Sequence, residues 1–452
     1  MTASAGVATP ASPPRSHLLR VLGIAFGIAI IIGNTIIVGI LRTPGEVAAH
    51  LPSREAFLGA WLIGGLYALL GAASLAELGA MIPRSGGQYV LVHRALGPYP
   101  GFIVGWSDWI STCGTIAAGG LVMGEYLSVL LPAVNGRAAL VGCAAAIVIA
   151  AFQWRGIRWG DRAQQVLSLA KALALFVLVI AAFSLGTPPA PAVARPALTG
   201  FAAFSAAMVA LQGVIYTYDG WNGVLYFGEE VVDPGRNVPR SMIGGVLLVI
   251  GIYLLLNIAF LHVLPYSRVA GEPFVAGAAA AAIFGAKGDL VIRAIMVVSV
   301  LGGINACLLM APRVPLAMAR DGLLPERVTE VNPGGTPTVA SLLSTAIAVG
   351  FMLTGTFDRV LALLAFFFVA NYTMSLVSVF VLRRTEPDTT RPYRAIGHPW
   401  TTGLALAGSL AFLAGQVVGD TRNSLWSLGL LALSWPVFRM TRREGGKGGG
   451  GR

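Results

Sequence analysis

Residues 214–240 read VIYTYDGWNGVLYFGEEVVDPGRNVPR, an apolar run broken at Asp219 and Gly220 that closes on three acids, two prolines and two arginines. A second interrupted run, residues 30–48, reads IIIGNTIIVGILRTPGEVA, with Gly33, Asn34, Thr35 and Gly39 ahead of Pro44. In hydrocarbon the N–H and C=O groups freed by a helix break have no water to bond, so a break is tolerated only where they face protein or a ligand. Two such breaks at corresponding places in two halves of a chain are the sequence pattern of an inverted-repeat membrane carrier.

Composition agrees with lipid as the solvent. Of 452 residues, 56% are hydrophobic and only 11% charged, where a soluble domain carries about a quarter charged residues. The net charge of +11 resides in short gaps between long apolar runs. That distribution fits orientation signals and anionic lipid rather than a nucleic-acid face. Cys113, Cys143 and Cys307 lie far apart inside apolar runs, with no metal-ligand spacing; they read as buried small hydrophobes, and neither a disulfide framework, a metal nor a cofactor is expected.

About 20 apolar residues cross a bilayer core as helix. Twelve runs qualify, near 18–41, 57–82, 98–131, 138–154, 163–186, 200–229, 240–264, 288–319, 337–356, 358–382, 401–419 and 423–440. Residues 1–17 form a disordered tail, 18–382 the core of ten spans, 383–400 a loop, 401–440 the last two spans and 441–452 a Gly-rich tail. Most Lys and Arg residues fall on the side of the N-terminus, which places both termini in the cytoplasm of a multi-pass bacterial inner-membrane protein. Trp154, Trp159, Trp400 and Trp426 stand at span ends as interfacial anchors.

The broken runs open spans 1 and 6, the first spans of two five-span halves. A zwitterionic amino acid suits them: its carboxylate accepts bonds from amides at a half-helix N-terminus, and its ammonium donates to freed carbonyls. Gly33 or Gly39 alone could serve helix packing equally well. Both breaks together, with Trp221 and the polar residues after it, favour a site.

Four passages resemble the amino acid–polyamine–organocation superfamily, within it the L-type amino acid transporters and bacterial exchangers. They are GNTIIVGILRTPGEVA (33–48), AELGAMIPRSGGQYVLVHRALGPYPGFIVGW (76–106), LAKALAL (169–175) and YDGWNGVLYFGEEVVDPGRNVPRSM (218–242). The resemblance implies an all-α, LeuT-like 5+5 inverted repeat with twelve transmembrane helices and with spans 1 and 6 unwound in mid-membrane. It implies substrate at those breaks: the carboxylate at amides of Ile37, Val38 and Gly39, the ammonium at carbonyls near Thr35, Tyr218 and Asp219 beside Gly220, with Trp221 over the pocket and helping to gate it; Asn222, by its residue type, reads as an interhelix bonding group that could also meet a substrate side chain. The family's usual Gly-Ser-Gly is replaced here by Ile37-Val38-Gly39, which makes the floor tighter and less polar.

Lys171 is the one cation well inside a span, and an intramembrane ionisable group is a functional hypothesis by default. The resemblance places its ammonium where sodium-coupled relatives of the fold hold their cation, either carrying a proton or standing as a fixed charge; sodium coupling is disfavoured. Asp219 either caps loosened backbone or counters a substrate cation. Glu77 and Glu125 read as snorkelling or packing groups, and Asp108 as a deeper acid with no identifiable partner cation. Asn305, Asn371 and Tyr372 read as interhelix bonding groups that could also meet a substrate side chain. Glu229, Glu230, Arg236 and Arg240, with Arg84 and Arg94, are candidates for an inner gate, against the alternative of a solvated loop end.

The expectation is a secondary active carrier of neutral amino acids working by alternating access, coupled to protons or to exchange. Its rivals are a cationic amino acid, amine or polyamine antiporter and a transporter-like amino acid sensor. The histidines and serines show no hydrolase or metalloenzyme pattern, so an enzyme is not expected. The loop near Leu131–Arg137 lacks the cysteine that animal relatives of the resembled family use to link a heavy subunit, so no disulfide-linked partner chain is expected.

Overall fold

The computed structural model describes residues 17–37, 39–188, 199–354, 357–419 and 421–445. Val38, most of the expected N-terminal tail and residues 446–452 lie outside them. The described residues are helical, without a strand beyond two isolated bridges.

The first half contains α1 (Ile24–Thr35), α2 (Gly39–Ala49), α3 (Arg54–Met81), α4 (Gln88–Leu96), α5 (Pro98–Leu130), α6 (Ala138–Gln153) and α7 (Ile157–Leu185). Then come α8 (Gly200–Thr217), a 3-10 turn at Gly223–Phe227, α9 (Pro234–Val263), α10 (Tyr266–Val269), α11 (Val275–Phe284), α12 (Gly288–Met310) and α13 (Arg313–Arg320). The chain ends with α14 (Thr338–Thr354), α15 (Phe357–Thr385), α16 (Trp400–Gly419) and α17 (Thr421–Gly445).

Among the described residues eight helices are long and apolar enough to cross a membrane, with α12–α13 taken as one, and nine if α1 and α2, which meet at 47°, form one span. The protein is therefore a multi-pass membrane protein.

Burial follows lipid logic rather than water logic. On α7 the apolar Val166, Leu169, Leu173, Phe176 and Ile180 are exposed, while the polar Gln164, Ser168 and Lys171 are buried. The exposed set recurs every three to four residues, so one helix face meets hydrocarbon and the opposite face carries its polar groups inward. α5 lies at the centre, packed on α6, α12, α14 and α15; α1 packs on α7, α9 and α12.

Among the boundaries that differ from the sequence expectation, two lie at the breaks. The first run was expected to end near 41, yet α2 continues to Ala49. Hydropathy falls at Arg42, Thr43 and Glu46 because that face lines a cavity, not because the helix stops. The run at 200–229 is helical only to Thr217, and its remainder tightens into turns.

Candidate functional site

α1 stops at Thr35, and α2 starts at Gly39. The helix end leaves carbonyls without an intrahelical partner, and side chains from three other helices take them. Lys171 on α7 donates from Nζ to Gly33 O at 3.3 Å and also to Ile36 O. Ser299 on α12 lies 3.2 Å from Ile36 O and 3.3 Å from Ile37 O. The Tyr253 hydroxyl on α9 stands 3.0 Å from Thr35 O and 3.0 Å from Thr217 O, so one phenolic proton is shared between the ends of α1 and α8.

The second break begins where α8 ends. Gly220 has φ +112°, a conformation that L side chains rarely adopt. A Cβ there would also come within 2.9 Å of Asn34 C and Thr35 N, so glycine is what lets the two breaks approach. Asn34 Nδ2 donates to Gly220 O at 3.4 Å, and Cys307 Sγ lies 3.3 Å from Asn34 Oδ1. The Tyr372 hydroxyl donates to Asp219 Oδ1, and its ring stacks on Trp221 with centroids 4.6 Å apart.

A cavity of about 720 Å³ reaches from Asn34, Thr35 and Asp219, past Ile37, Gly39, Tyr216 and Thr217, to the exposed Glu46 and Ala49. That volume is in the range of small-molecule sites. Thr35, Ile37, Gly39 and Asp219 line it directly. Tyr218 and Trp221 are buried behind it, Tyr218 against Trp61 and Tyr253, and Trp221 against Tyr372. Asn222 lines a smaller polar cavity beside Asp219.

At the opposite end the chain before α1 pairs with the chain after the 3-10 turn, Val21 N and Leu22 N both donating to Glu230 O. Glu230 is wholly buried and takes a two-pronged bond from Arg313 at 2.6 Å and 2.6 Å. Glu229 accepts from Arg320 at 2.8 Å and from Ser85 N at 3.2 Å. Arg84 donates to Asp321 at 3.0 Å, and Arg94 to Glu386 at 2.6 Å.

The acids among the gate candidates thus pair with residues of α13 that were not singled out in the sequence. Among the described residues no ion pair joins Arg236 or Arg240 to them. Arg313, Arg320 and Asp321 sit in APRVPLAMARDG at the C-terminal end of the apolar run 288–319; the clustered charge and prolines are the available signal. Glu77 does not snorkel. It is wholly buried and accepts from Arg383 at 2.9 and 2.5 Å and from Ala395 N at 2.7 Å, because the segment after α15 folds over it. Glu125 is half-exposed, 3.9 Å from Arg42. Asn305 joins Gln153 and Gln164 in a buried amide chain under α1.

The three cysteines are buried and free, and among the described residues no cluster of His, Cys, Asp and Glu could hold a metal. The arrangement offers backbone dipoles at the α1–α2 gap, bonded by Lys171, and the carboxylates of Glu46, Asp219 and Glu272 around a cavity, which suits binding a small charged solute.

A family model described as "Amino acid permease" matches residues 19–434. The chain is 29% identical over 427 residues to the Serine/threonine exchanger SteT of Bacillus subtilis, covering 93% of this chain and 96% of that protein. It is 30% identical over 392 residues to the human Large neutral amino acids transporter small subunit 2, covering 83% and 72%. It is 27% identical over 392 residues to the mouse b(0,+)-type amino acid transporter 1, covering 84% and 79%.

Proposed function

The chain belongs to the amino acid permease family, and from that premise we propose that it carries amino acids across a membrane by exchange through alternating access. The observation that carries the mechanism is the meeting of two helix gaps on one cavity: Thr35–Gly39 and the turn after Thr217, tied by Tyr253 and by the Asn34–Gly220 contact.

In this reading the substrate carboxylate lies at the amide end of α2, where the first N–H groups have no intrahelical partner and the dipole is positive. The residues are Ile37, Val38 and Gly39. The ammonium lies toward the carbonyls of the α1 end and toward Asp219. Trp221, stacked on Tyr372, backs the pocket and moves with it. Lys171 holds the end of α1 in place of an ion. With twelve spans, α6, α14 and α17 join the nine above, and the halves formed by spans 1–5 and 6–10 are the inverted repeats. With both termini in the cytoplasm, the cavity opens outward and the ion-paired end faces inward. The inner gate is then formed by Arg84, Arg94, Glu229 and Glu230 with their partners, and Arg236 and Arg240 remain available to the inward-open state.

The mostly apolar lining and the names of the relatives support a neutral amino acid. The test is purified protein in liposomes preloaded with an unlabelled amino acid. Uptake of labelled threonine, serine or leucine should rise with internal amino acid and stay near background in empty liposomes. Uptake that ignores internal amino acid but follows a pH gradient would replace exchange with symport, and binding without uptake would favour a sensor.

A further inference from the structure

The buried acids of this protein divide into two kinds. Glu77 and Glu230 each hold arginine. Asp108 on α5, 2% exposed, does not: its Oδ1 accepts from the Tyr226 hydroxyl at 2.6 Å, and its Oδ2 has no hydrogen-bond partner among the described residues. A buried carboxylate oxygen without a donor is unfavourable enough to require an account.

Asp108 lines a polar cavity of about 10 Å³ together with Asp219, Asn222 and Tyr372. No Lys or Arg lines it. Asn34, Thr115, Asp219 and Phe368 line both this cavity and the 720 Å³ one, so the small cavity adjoins the proposed substrate chamber and shares a wall with it. Its size admits about one water-sized group. A group entering from a bound amino acid would be a single heavy atom, and one that meets the partnerless Asp108 Oδ2 completes it only by bringing a proton.

We propose that Asp108 is the specificity-determining acceptor for the substrate side chain, so that the protein selects short amino acids bearing a hydrogen-bond donor, hydroxyl or ammonium, over apolar isosteres. This rests on the transport reading above. Threonine and valine have the same shape, and only threonine brings a proton to Oδ2. Valine would leave the carboxylate oxygen desolvated and unpaired, the situation in which a polar site discriminates strongly. If the pocket instead holds a permanent water, Asp108 is satisfied without substrate and discrimination is absent.

The experiment is competition for exchange in liposomes by threonine, valine, serine, 2-aminobutyrate and 2,3-diaminopropionate, on the wild type, Asp108→Ala and Tyr226→Phe. The wild type should favour threonine over valine by at least about tenfold, and Asp108→Ala should collapse that ratio toward unity. Tyr226→Phe, which keeps the carboxylate, should preserve a preference for donors. Diaminopropionate competing better than serine identifies the donor as ammonium, and the reverse identifies it as hydroxyl; either upholds the acceptor. Equal exchange of threonine and valine by the wild type overturns the assignment without any variant, which covers the case in which Asp108→Ala fails to assemble. An unchanged ratio in Asp108→Ala also overturns it. Failure of the wild type to exchange any amino acid would instead remove the transport reading itself.

Discussion

At one end of the bundle a cavity descends from Glu46 and Ala49 to Asn34 and Asp219, and the ion pairs at that end include Arg42 with Glu125 at 3.9 Å, both substantially exposed, and Arg293 with Asp289 at 2.7 Å within α12. At the other end Glu230 and Arg313 meet at 2.6 Å with 0% and 3% of their side chains exposed, and Glu229, Arg320, Arg84 and Asp321 add a second layer. In the proposed transport reading, that difference holds the path shut on one side while leaving it open on the other. The shut end is a set of charged bonds between elements that are separate in sequence: the 3-10 turn, the α3–α4 link and α13. Neither the Arg42–Glu125 nor the Arg293–Asp289 pair at the open end is buried as Glu230 and Arg313 are. Such bonds can be remade elsewhere when the elements move, which a packed apolar seam does less readily.

The strongest way to break this contrast is Arg313→Ala. It leaves Glu230 buried without its cation, at a cost of about 3–5 kcal/mol. The purified variant should melt well below the wild type and exchange should be lost. Glu230→Gln combined with Arg313→Met should recover much of the melting temperature without restoring normal exchange.

Cysteine accessibility sharpens the contrast. Thr43 lines the open cavity, and Ser85, 2% exposed, lies under Glu229. In detergent or nanodiscs, where reagent reaches both sides, a maleimide should label Thr43→Cys at least about tenfold faster than Ser85→Cys, since the latter needs a transient opening. Equal rates would mean that the closed end is not closed.

Glu229→Gln is milder. Its bond to Arg320 is only part-buried, so the loss is about 1 kcal/mol or less, and it should appear as faster labelling of Ser85→Cys rather than as unfolding.

The smallest effect belongs to Arg94 and Glu386. The bond from Arg94 holds the Glu386 carboxyl below the ordinary carboxylate range. Its stabilisation is therefore present above that range and is lost as pH falls through the lowered value. Because the pair is screened by solvent, Arg94→Ala should change stability by under about 1 kcal/mol at neutral pH. That difference should disappear in strong acid.

The open cavity was more legible in the sequence than the closed end. Asn34 and Asp219 stand out as polar residues in apolar runs, and a helix break in lipid needs a reason that sequence can display. The partners across the closed end are tertiary: nothing in GEEVVDPGR indicates that Glu230 meets Arg313 rather than Arg236. Tyr253 was silent for a different reason, since a tyrosine in an apolar helix looks like packing until its hydroxyl is found between two helix ends. Glu77 misled by position, because its depth depends on the segment after α15 folding back over it. Asp108 stands out in the sequence as a deep acid, but its partner is a tyrosine hydroxyl from the turn after α8, which no charge pattern reveals.

Transport as proposed requires a zwitterion to complete the backbone between the α1–α2 gap and the turn at 218–222. The most direct measurement is protection of Thr43→Cys from maleimide by ligands that keep or lose each charged end: threonine, N-acetylthreonine and the amino alcohol made by decarboxylating threonine. Protection by threonine alone is the predicted result. Equal protection by all three, or by none while exchange still proceeds, would contradict it.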